Sequence, residues 1–94
     1  MIKIRTIEEF KAVREWQLEE WIDAGKEEYG FYLRLDGANL TEADLTGSNL
    51  TGADLRGAKI KDTIITQSLY DQLAKLYSHE VMVGFIVKEL EVAR

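Results

Sequence analysis

An apolar residue recurs at every fifth position from Leu35 to Ile65, and this period constrains the fold more than any other feature of the sequence. On an α-helix a step of five residues turns the side chain by about 140°, so these residues would scatter around the axis. In a straight strand an odd step would place successive residues on opposite faces. The period therefore disfavours both a continuous helix and a flat strand.

A chain that turns a corner once in each pentad satisfies the pattern, because residues two apart then face inward together. The central positions are Leu35, Leu40, Leu45, Leu50, Leu55, Ile60 and Ile65. The residues two places earlier, small in six of seven cases, are Leu33, Ala38, Ala43, Ser48, Ala53, Ala58 and Thr63. Glycines end four pentads, where corners need permissive torsion angles: Gly37, Gly47, Gly52 and Gly57. The segment is predicted to be a solenoid.

Four consecutive pentads share the pattern A-(D/N)-L-x-x and resemble the pentapeptide-repeat family. They begin Ala38-Asn39-Leu40, Ala43-Asp44-Leu45, Ser48-Asn49-Leu50 and Ala53-Asp54-Leu55. In that family four pentads form one square coil of a right-handed β-helix. The resemblance thus implies about 1.75 coils for the seven pentads of residues 33–67. So short a solenoid has apolar ends that need caps.

The amino-terminal flank predicts a strand over Met1 to Arg5 and a helix from about Ile7 to Ala24. Thr6 with Glu9 forms a capping-box pattern, and Gly25 suits the helix stop. The expected buried arc consists of Ile7, Phe10, Val13, Leu18, Trp21, Ile22 and Ala24. Residues 30–35 should then run extended into the first pentad.

After the repeat, Thr66-Gln67-Ser68-Leu69 resembles the exit that follows many pentapeptide arrays. Ser68 as N-cap predicts a helix through about Tyr77. Its buried residues would be Leu69, Leu73 and Leu76.

The apolar stretch from Val81 to Val92 fits either a strand or a helix. It could form a homodimer, or it could be a strand in the monomer core beside Met1 to Arg5. The dimer residues would be Val81, Val83, Phe85, Ile86 and Val87.

Together these features predict an α+β fold in one domain. A short right-handed quadrilateral β-helix over 33–67 would be capped by an amino-terminal amphipathic helix within 1–32. A carboxy-terminal helix plus an apolar strand or helix would form the second cap, or a dimerisation segment, over 68–94.

Composition argues against catalysis, metals and cofactors. The chain has no cysteine, and its one histidine, His79, is expected on the surface at a helix end. The glycines belong to the repeat and match no phosphate-loop spacing. Without a long apolar run or a leader-like amino terminus, we expect a soluble, cytoplasmic protein of a bacterium or phage-infected host, with no membrane partner.

Acidity is the feature that indicates a function. Seventeen acidic and twelve basic residues give a net charge of −5, which opposes direct nucleic-acid binding. Much of the excess lies on one face of the first helix, where Trp16 could anchor a contact. Such a face is also typical of plain solvated surface.

Resemblance adds a mechanism, because some pentapeptide-repeat proteins, including protectors of bacterial DNA gyrase, look like duplex DNA and occupy the enzyme's DNA-binding surface. This implies a non-enzymatic, acidic DNA-mimic inhibitor of a basic nucleic-acid-binding protein. Its target could be a CRISPR, restriction or topoisomerase system, and an anti-CRISPR or anti-restriction factor best fits so short an array. The alternative is a structural or oligomerisation module. The candidate partner-binding residues are Glu8, Glu15, Trp16, Glu19, Glu20, Asp23, Asp36, Glu42, Asp44 and Asp54.

Overall fold

The computed structural model describes residues 2–88, which contain helices and a small two-stranded sheet, as the predicted α+β class requires. The elements in chain order are helix α1 (Ile7–Asp23), a 3₁₀ turn (Glu28–Gly30), strand β1 (Thr63–Thr66), helix α2 (Gln67–Ala74), helix α3 (His79–Met82) and strand β2 (Phe85–Lys88). Residues 31–62 connect the 3₁₀ turn to β1 through a series of turns and isolated β-bridges.

Helix α1 begins and ends where the sequence predicts. The Thr6 hydroxyl oxygen accepts a hydrogen bond from the Glu9 backbone N–H at 3.2 Å, and Gly25 follows the helix with φ +80°. Phe10 is buried, and Ile7 and Val13 pack partly buried against the core.

The end of the predicted buried arc is wrong, because Ile22 is 48% exposed and Ala24 is exposed. Trp21 makes the contacts of this part of α1, against Phe31 and Tyr32. Its neighbour Ile22 lies about 100° further around the helix and faces outward. Gly30 belongs to the 3₁₀ turn, so the extended segment begins at Phe31.

The repeat turns a corner once per pentad and directs its apolar ladder inward. All seven central residues, Leu35 to Ile65, are buried. Positive φ recurs at every fifth residue, at Gly37, Glu42, Gly47, Gly52, Gly57 and Asp62. The predicted role of the pentad-end glycines is therefore confirmed, and two corners are built with non-glycine residues.

The asparagine or aspartate of each matching pentad holds its corner. The Oδ1 atoms of Asn39, Asp44, Asn49 and Asp54 each accept a hydrogen bond from the backbone N–H two residues later, at 3.0 to 3.1 Å. This is the geometry of an Asx turn, in which a side chain replaces a backbone acceptor. The asparagine or aspartate that recurs at this position of the pattern thus has a structural role.

Successive passes of the chain stack through parallel bridges. Arg34 pairs with Asp54, Asn39 with Lys59, and Asp44 with Ile64, so each pair is separated by twenty residues. Four pentads therefore separate one layer from the next.

Flanking segments extend the stack at both ends. At one end Lys3 pairs in parallel with Asn39 through an isolated bridge, so the strand predicted over Met1 to Arg5 is reduced to this one bridge within residues 2–5, and Met1 lies outside the described residues. At the other end β2 pairs in parallel with β1, with Ile86 opposite Ile64. The expectation that the carboxy-terminal strand lies beside Met1 to Arg5 is wrong, because β1 and the first pentads separate the two.

At Arg34 and beside Asp54, two side chains make the backbone hydrogen bonds that a neighbouring strand would otherwise make. The Gln17 carboxamide accepts from the Arg34 N–H and donates to the Arg34 carbonyl, both at 2.7 Å. At the opposite side, the Tyr77 hydroxyl donates to the Ala53 carbonyl at 2.9 Å and accepts from the Leu55 N–H at 3.0 Å. We call Gln17 and Tyr77 the edge-filling side chains, since each satisfies a donor and an acceptor that a further strand would otherwise pair.

The carboxy-terminal helices differ from the prediction in their bounds. Thr66, not Ser68, is the N-cap of α2, and its hydroxyl accepts from the Leu69 N–H at 3.3 Å. Leu69 and Leu73 are buried as expected, but α2 ends at Ala74 and Leu76 is 67% exposed.

The apolar stretch after α2 contains both predicted structures. Helix α3 ends at Met82, and β2 begins after Gly84, while residues 89–92 of the predicted stretch lie outside the described residues. A Cβ atom on Gly84 would lie 3.0 Å from Ile60 Cγ1. Glycine thus lets β2 approach the repeat closely.

Candidate functional site

The predicted acidic face on α1 is present. Its carboxylates, Glu8, Glu15, Glu19, Glu20 and Asp23, are all exposed. They span sixteen residues of helix from Glu8 to Asp23, or about 22 Å along the axis. Among residues 2–88, the ion pairs Arg34–Asp36 and Arg56–Asp54 both lie on the repeat, and none involves α1. The charge of this face is therefore not neutralised by internal pairing within the described part of the chain.

Trp16 lies within the acidic face and is half exposed. Its indole N–H donates to Glu20 Oε1 at 3.1 Å, one helical turn further on. That bond satisfies the one polar atom of the indole and leaves the ring surface available. An aromatic ring held in this way can bury area on a partner without leaving an unpaired donor.

Beside Trp16, a cleft of about 710 Å³ separates the second half of α1 from the segment that enters the repeat. Its aromatic lining comes from Trp16, Trp21, Phe31 and Tyr32. Its charged lining comes from Glu20, Lys26, Arg34 and Asp36. We call this the aromatic cleft.

Trp21 organises the aromatic cleft. Its indole N–H donates to the Glu27 carbonyl at 2.8 Å. The edges of Phe31 and Tyr32 meet it with centroids 5.9 and 5.8 Å away, at interplanar angles of 84° and 76°. Lys26 Nζ lies 4.4 Å from the Trp21 ring centroid, and the Arg14 guanidinium lies 5.5 Å from that of Phe31. The rings are thus fixed by edge-to-face packing and already contact cations.

The four candidate acidic residues of the repeat do not form one surface with the helix. Asp36 lines the aromatic cleft with Glu20. Asp44 instead borders a shallower hollow with Glu8. Glu42 stands exposed at a corner with φ +61°. Asp54 is held by Arg56, with contacts of 2.9 and 2.7 Å, so its charge is already paired.

Hydrogen bonds donated by turn residues lower the pKa of two of these carboxyls. The pKa of Asp54 falls from 3.8 to about 2, because the Arg56 side chain and backbone N–H both donate to it. The same pair raises the pKa of the Arg56 guanidinium. The Thr46 hydroxyl and backbone N–H lower the pKa of Asp44. Both carboxylates therefore hold local turns, and of the two only Asp44 is exposed.

Of the predicted oligomerisation residues, some are exposed and others are buried in their own chain. Phe85 is 8% exposed and belongs to the core of its own chain, so it is not available to a partner. Val83 and Ile86 are 62% and 46% exposed, and Val81 is at the surface. Val87 is half-buried. An interface at this end of the molecule would depend on Val83 and Ile86.

The remaining chemistry of the described residues is sparse. His79 is exposed at the first position of α3, as predicted for a surface histidine at a helix end. Within residues 2–88, acidic and histidine side chains do not gather in groups of three or more that could hold a metal ion. The helices of this part of the chain are too short or too polar to cross a membrane.

Sequence reasoning missed the edge-filling side chains and half of the aromatic cleft. The signal that could have found Gln17 is its polar side chain beside Leu18 and Trp21 of the predicted buried arc, where it pairs with the Arg34 backbone. Lys26 and Tyr32 gave no periodic signal, because both lie in the irregular connection after α1.

Comparison with known families identifies the repeat. The family model described as pentapeptide repeats (8 copies) matches residues 34–68. No curated protein and no solved structure matches the chain significantly. Pentapeptide repeats imply a β-helix and, in general, a non-enzymatic module for structure or protein–protein interaction. The family pattern, the recurring corners and the twenty-residue stacking agree, so residues 34–68 of this chain are a pentapeptide-repeat segment.

Proposed function

We propose that this protein is a non-enzymatic binding module that inhibits a nucleic-acid-handling protein by presenting α1 to its basic DNA-binding surface. The observation that carries the proposal is Trp16, half exposed within an acidic face that has no internal ion pair among residues 2–88. The carboxylates would supply long-range attraction, and Trp16 with the aromatic cleft would supply a short-range anchor.

The pattern of charge supports a basic partner. The exposed carboxylates of α1 repeat over about 22 Å of helix, a length that covers several phosphate steps of a DNA strand. A basic surface evolved for phosphates would therefore meet several carboxylates at once. Direct nucleic-acid binding is opposed by the net charge of −5.

In this proposal the repeat is the scaffold, and only its first pentad, with Arg34 and Asp36, borders the contact surface. We infer a quadrilateral coil of four pentads, which the twenty-residue offset between bridged positions supports. The Gln17 and Tyr77 hydrogen bonds support the further inference that α1 and the segment after α2 cap this coil within one domain. The scaffold would hold α1 and residues 31–36 at a fixed separation.

The test is affinity capture from a bacterial lysate at low and high salt, followed by competition with duplex DNA. Charge reversal at Glu15 and Glu19 to lysine should abolish capture of the partner. The matched control reverses Asp71 and Glu80, which are exposed on the carboxy-terminal helices and change the net charge equally. We expect the control to retain capture. If both double variants capture the same partner as the original chain, the proposal is wrong.

A structural or oligomerisation module is the second candidate, and the exposure of Val83 and Ile86 favours it. Both residues lie at the end of the stack where β2 contributes the last described strand. An obligate dimer in sedimentation that resists DNA and high salt would support this candidate over the first.

A further inference from the structure

Two rings of the aromatic cleft already contact cations, Lys26 from within the cleft and Arg14 from outside its lining. Lys26 Nζ lies 4.4 Å from the Trp21 centroid, well within the distance at which a ring face attracts a positive charge. Arg14 lies over Phe31 at 5.5 Å. Both cations belong to this chain, and their positions indicate that these rings attract positively charged groups.

Two further rings of the cleft have no such cation among residues 2–88. Trp16 is 49% exposed and Tyr32 is 47% exposed. The carboxylates of Glu20 and Asp36 line the same cleft. Glu20 accepts the Trp16 N–H, and Asp36 contacts Arg34 only at 3.8 Å with both side chains largely exposed. The cleft therefore combines open aromatic faces with carboxylate oxygens that have unused acceptor capacity.

We propose that the aromatic cleft binds an arginine side chain of the partner protein, and that Lys26 is an internal competitor which occupies the Trp21 ring until the partner displaces it. This inference rests on the proposed function, in which the partner surface is basic. Arginine fits better than lysine because its planar guanidinium stacks on a ring and bonds a carboxylate in two places. A cleft of about 710 Å³ lies within the range of ordinary ligand sites.

Lys26 is suited to displacement. It follows Gly25 at the end of α1, in an exposed segment, and it makes no ion pair within the described residues. Exposed cation–π contacts are weak, so removing this one should tighten arginine binding by about two- to fivefold.

The test is an NMR titration with the blocked peptide acetyl-Gly-Arg-Gly-amide, followed through the indole N–H signals of the two tryptophans. The lysine and citrulline counterparts serve as probe controls, since citrulline keeps the shape of arginine without its charge. We expect arginine to shift both signals, lysine to shift them less and citrulline to leave them unchanged.

Variants inside and outside the cleft distinguish binding in the cleft from general electrostatic attraction of the arginine peptide to the acidic chain. Lys26→Gln should tighten the arginine peptide two- to fivefold, whereas Lys75→Gln, an exposed lysine elsewhere, should not change its affinity. Trp16→Ala should weaken binding, and Tyr29→Ala, which removes a ring that is 91% exposed and outside the cleft, should not.

Unchanged or weaker binding by Lys26→Gln would overturn the inference, and so would shifts confined to backbone signals of Glu15 and Glu19. The second result would leave the proposed function standing, because α1 would still attract a basic surface. Intact arginine binding without salt-dependent capture from a lysate would support the cleft and refute the inhibitor role.

Discussion

At the scale of single residues, Asp54 both holds a turn of the repeat and pairs with the exposed Arg56 side chain. The pKa of its carboxyl is lowered to about 2 by the Arg56 side chain and N–H. Because the folded value lies below the ordinary one, the stabilisation is fully present above pH 3.8 and is lost as the pH falls through about 2. The Arg56 side chain is 82% exposed, so salt should weaken the ionic part of the effect.

We predict that the Asp54 carboxyl titrates with a midpoint near 2 in an NMR pH series. In Arg56→Gln the midpoint should rise toward 3.8, while the retained backbone donor keeps it below that value. A midpoint that is equal in both proteins would show that Arg56 does not act on Asp54 in solution.

Corners built from non-glycine residues are a second feature at this scale. Glu42 and Asp62 adopt φ values of +61° and +59°, where a Cβ atom crowds the backbone. Gly52 adopts +78° at the equivalent corner of another pentad.

We predict that Glu42→Gly raises the free energy of unfolding by about 1 kcal/mol, because it removes the penalty of a left-handed side-chain residue. The matched variant Gly52→Ala introduces that penalty and should lower stability by about the same amount. Urea unfolding of both variants checks the pair. A destabilising Glu42→Gly would mean that the Glu42 side chain contributes more than its backbone strain costs.

At the scale of elements, the edge-filling side chains pair with backbone groups of the repeat from both flanks. Gln17 reaches Arg34 from α1, and Tyr77 reaches Ala53 and Leu55 from the segment after α2. Each satisfies one donor and one acceptor of the backbone, so unpaired edge groups are not left beside Arg34 and Asp54.

We predict that Tyr77→Phe lowers the free energy of unfolding by about 1 to 3 kcal/mol, since it leaves a partly buried N–H and carbonyl without a partner. Gln17→Glu should also destabilise, because it keeps the acceptor for Arg34 but places a carboxylate against the Arg34 carbonyl. Tyr29→Phe, on a ring 91% exposed, should remain within about 0.5 kcal/mol. Hydrogen exchange at Leu55 would localise the effect, and unchanged exchange in Tyr77→Phe would contradict it.

At the scale of the whole molecule, the two candidate functions require different surfaces of the same fold. Inhibition by α1 requires only a folded monomer. Assembly requires the end near β2, where Phe85 faces its own core and Ile86 faces outward.

We predict that Phe85→Ala lowers the free energy of unfolding by about 3 to 5 kcal/mol through the cavity it creates. Ile86→Lys should change stability by about 0.5 kcal/mol or less, since the side chain is 46% exposed. Sedimentation of Ile86→Lys then decides between the candidates. Dissociation of a dimer without unfolding would favour assembly, and an unaffected monomer would remove it.

The sequence alone determined the repeat, its corners and the bounds of α1, because each rests on contacts between residues close in the chain. A pentad closes its own turn through Asn39 or Asp44, and Thr6 caps the helix it precedes. Such local hydrogen bonds leave a fixed spacing that a pattern can reveal.

Only the tertiary structure decided how the flanks meet the repeat. Gln17, Tyr77 and Gly84 act on residues 17 to 24 positions away in the chain, and no period records those distances. The aromatic cleft has the same origin, since Trp16 and Asp36 face it from separate segments. A cleft between separate segments exists only once the fold fixes those segments in space.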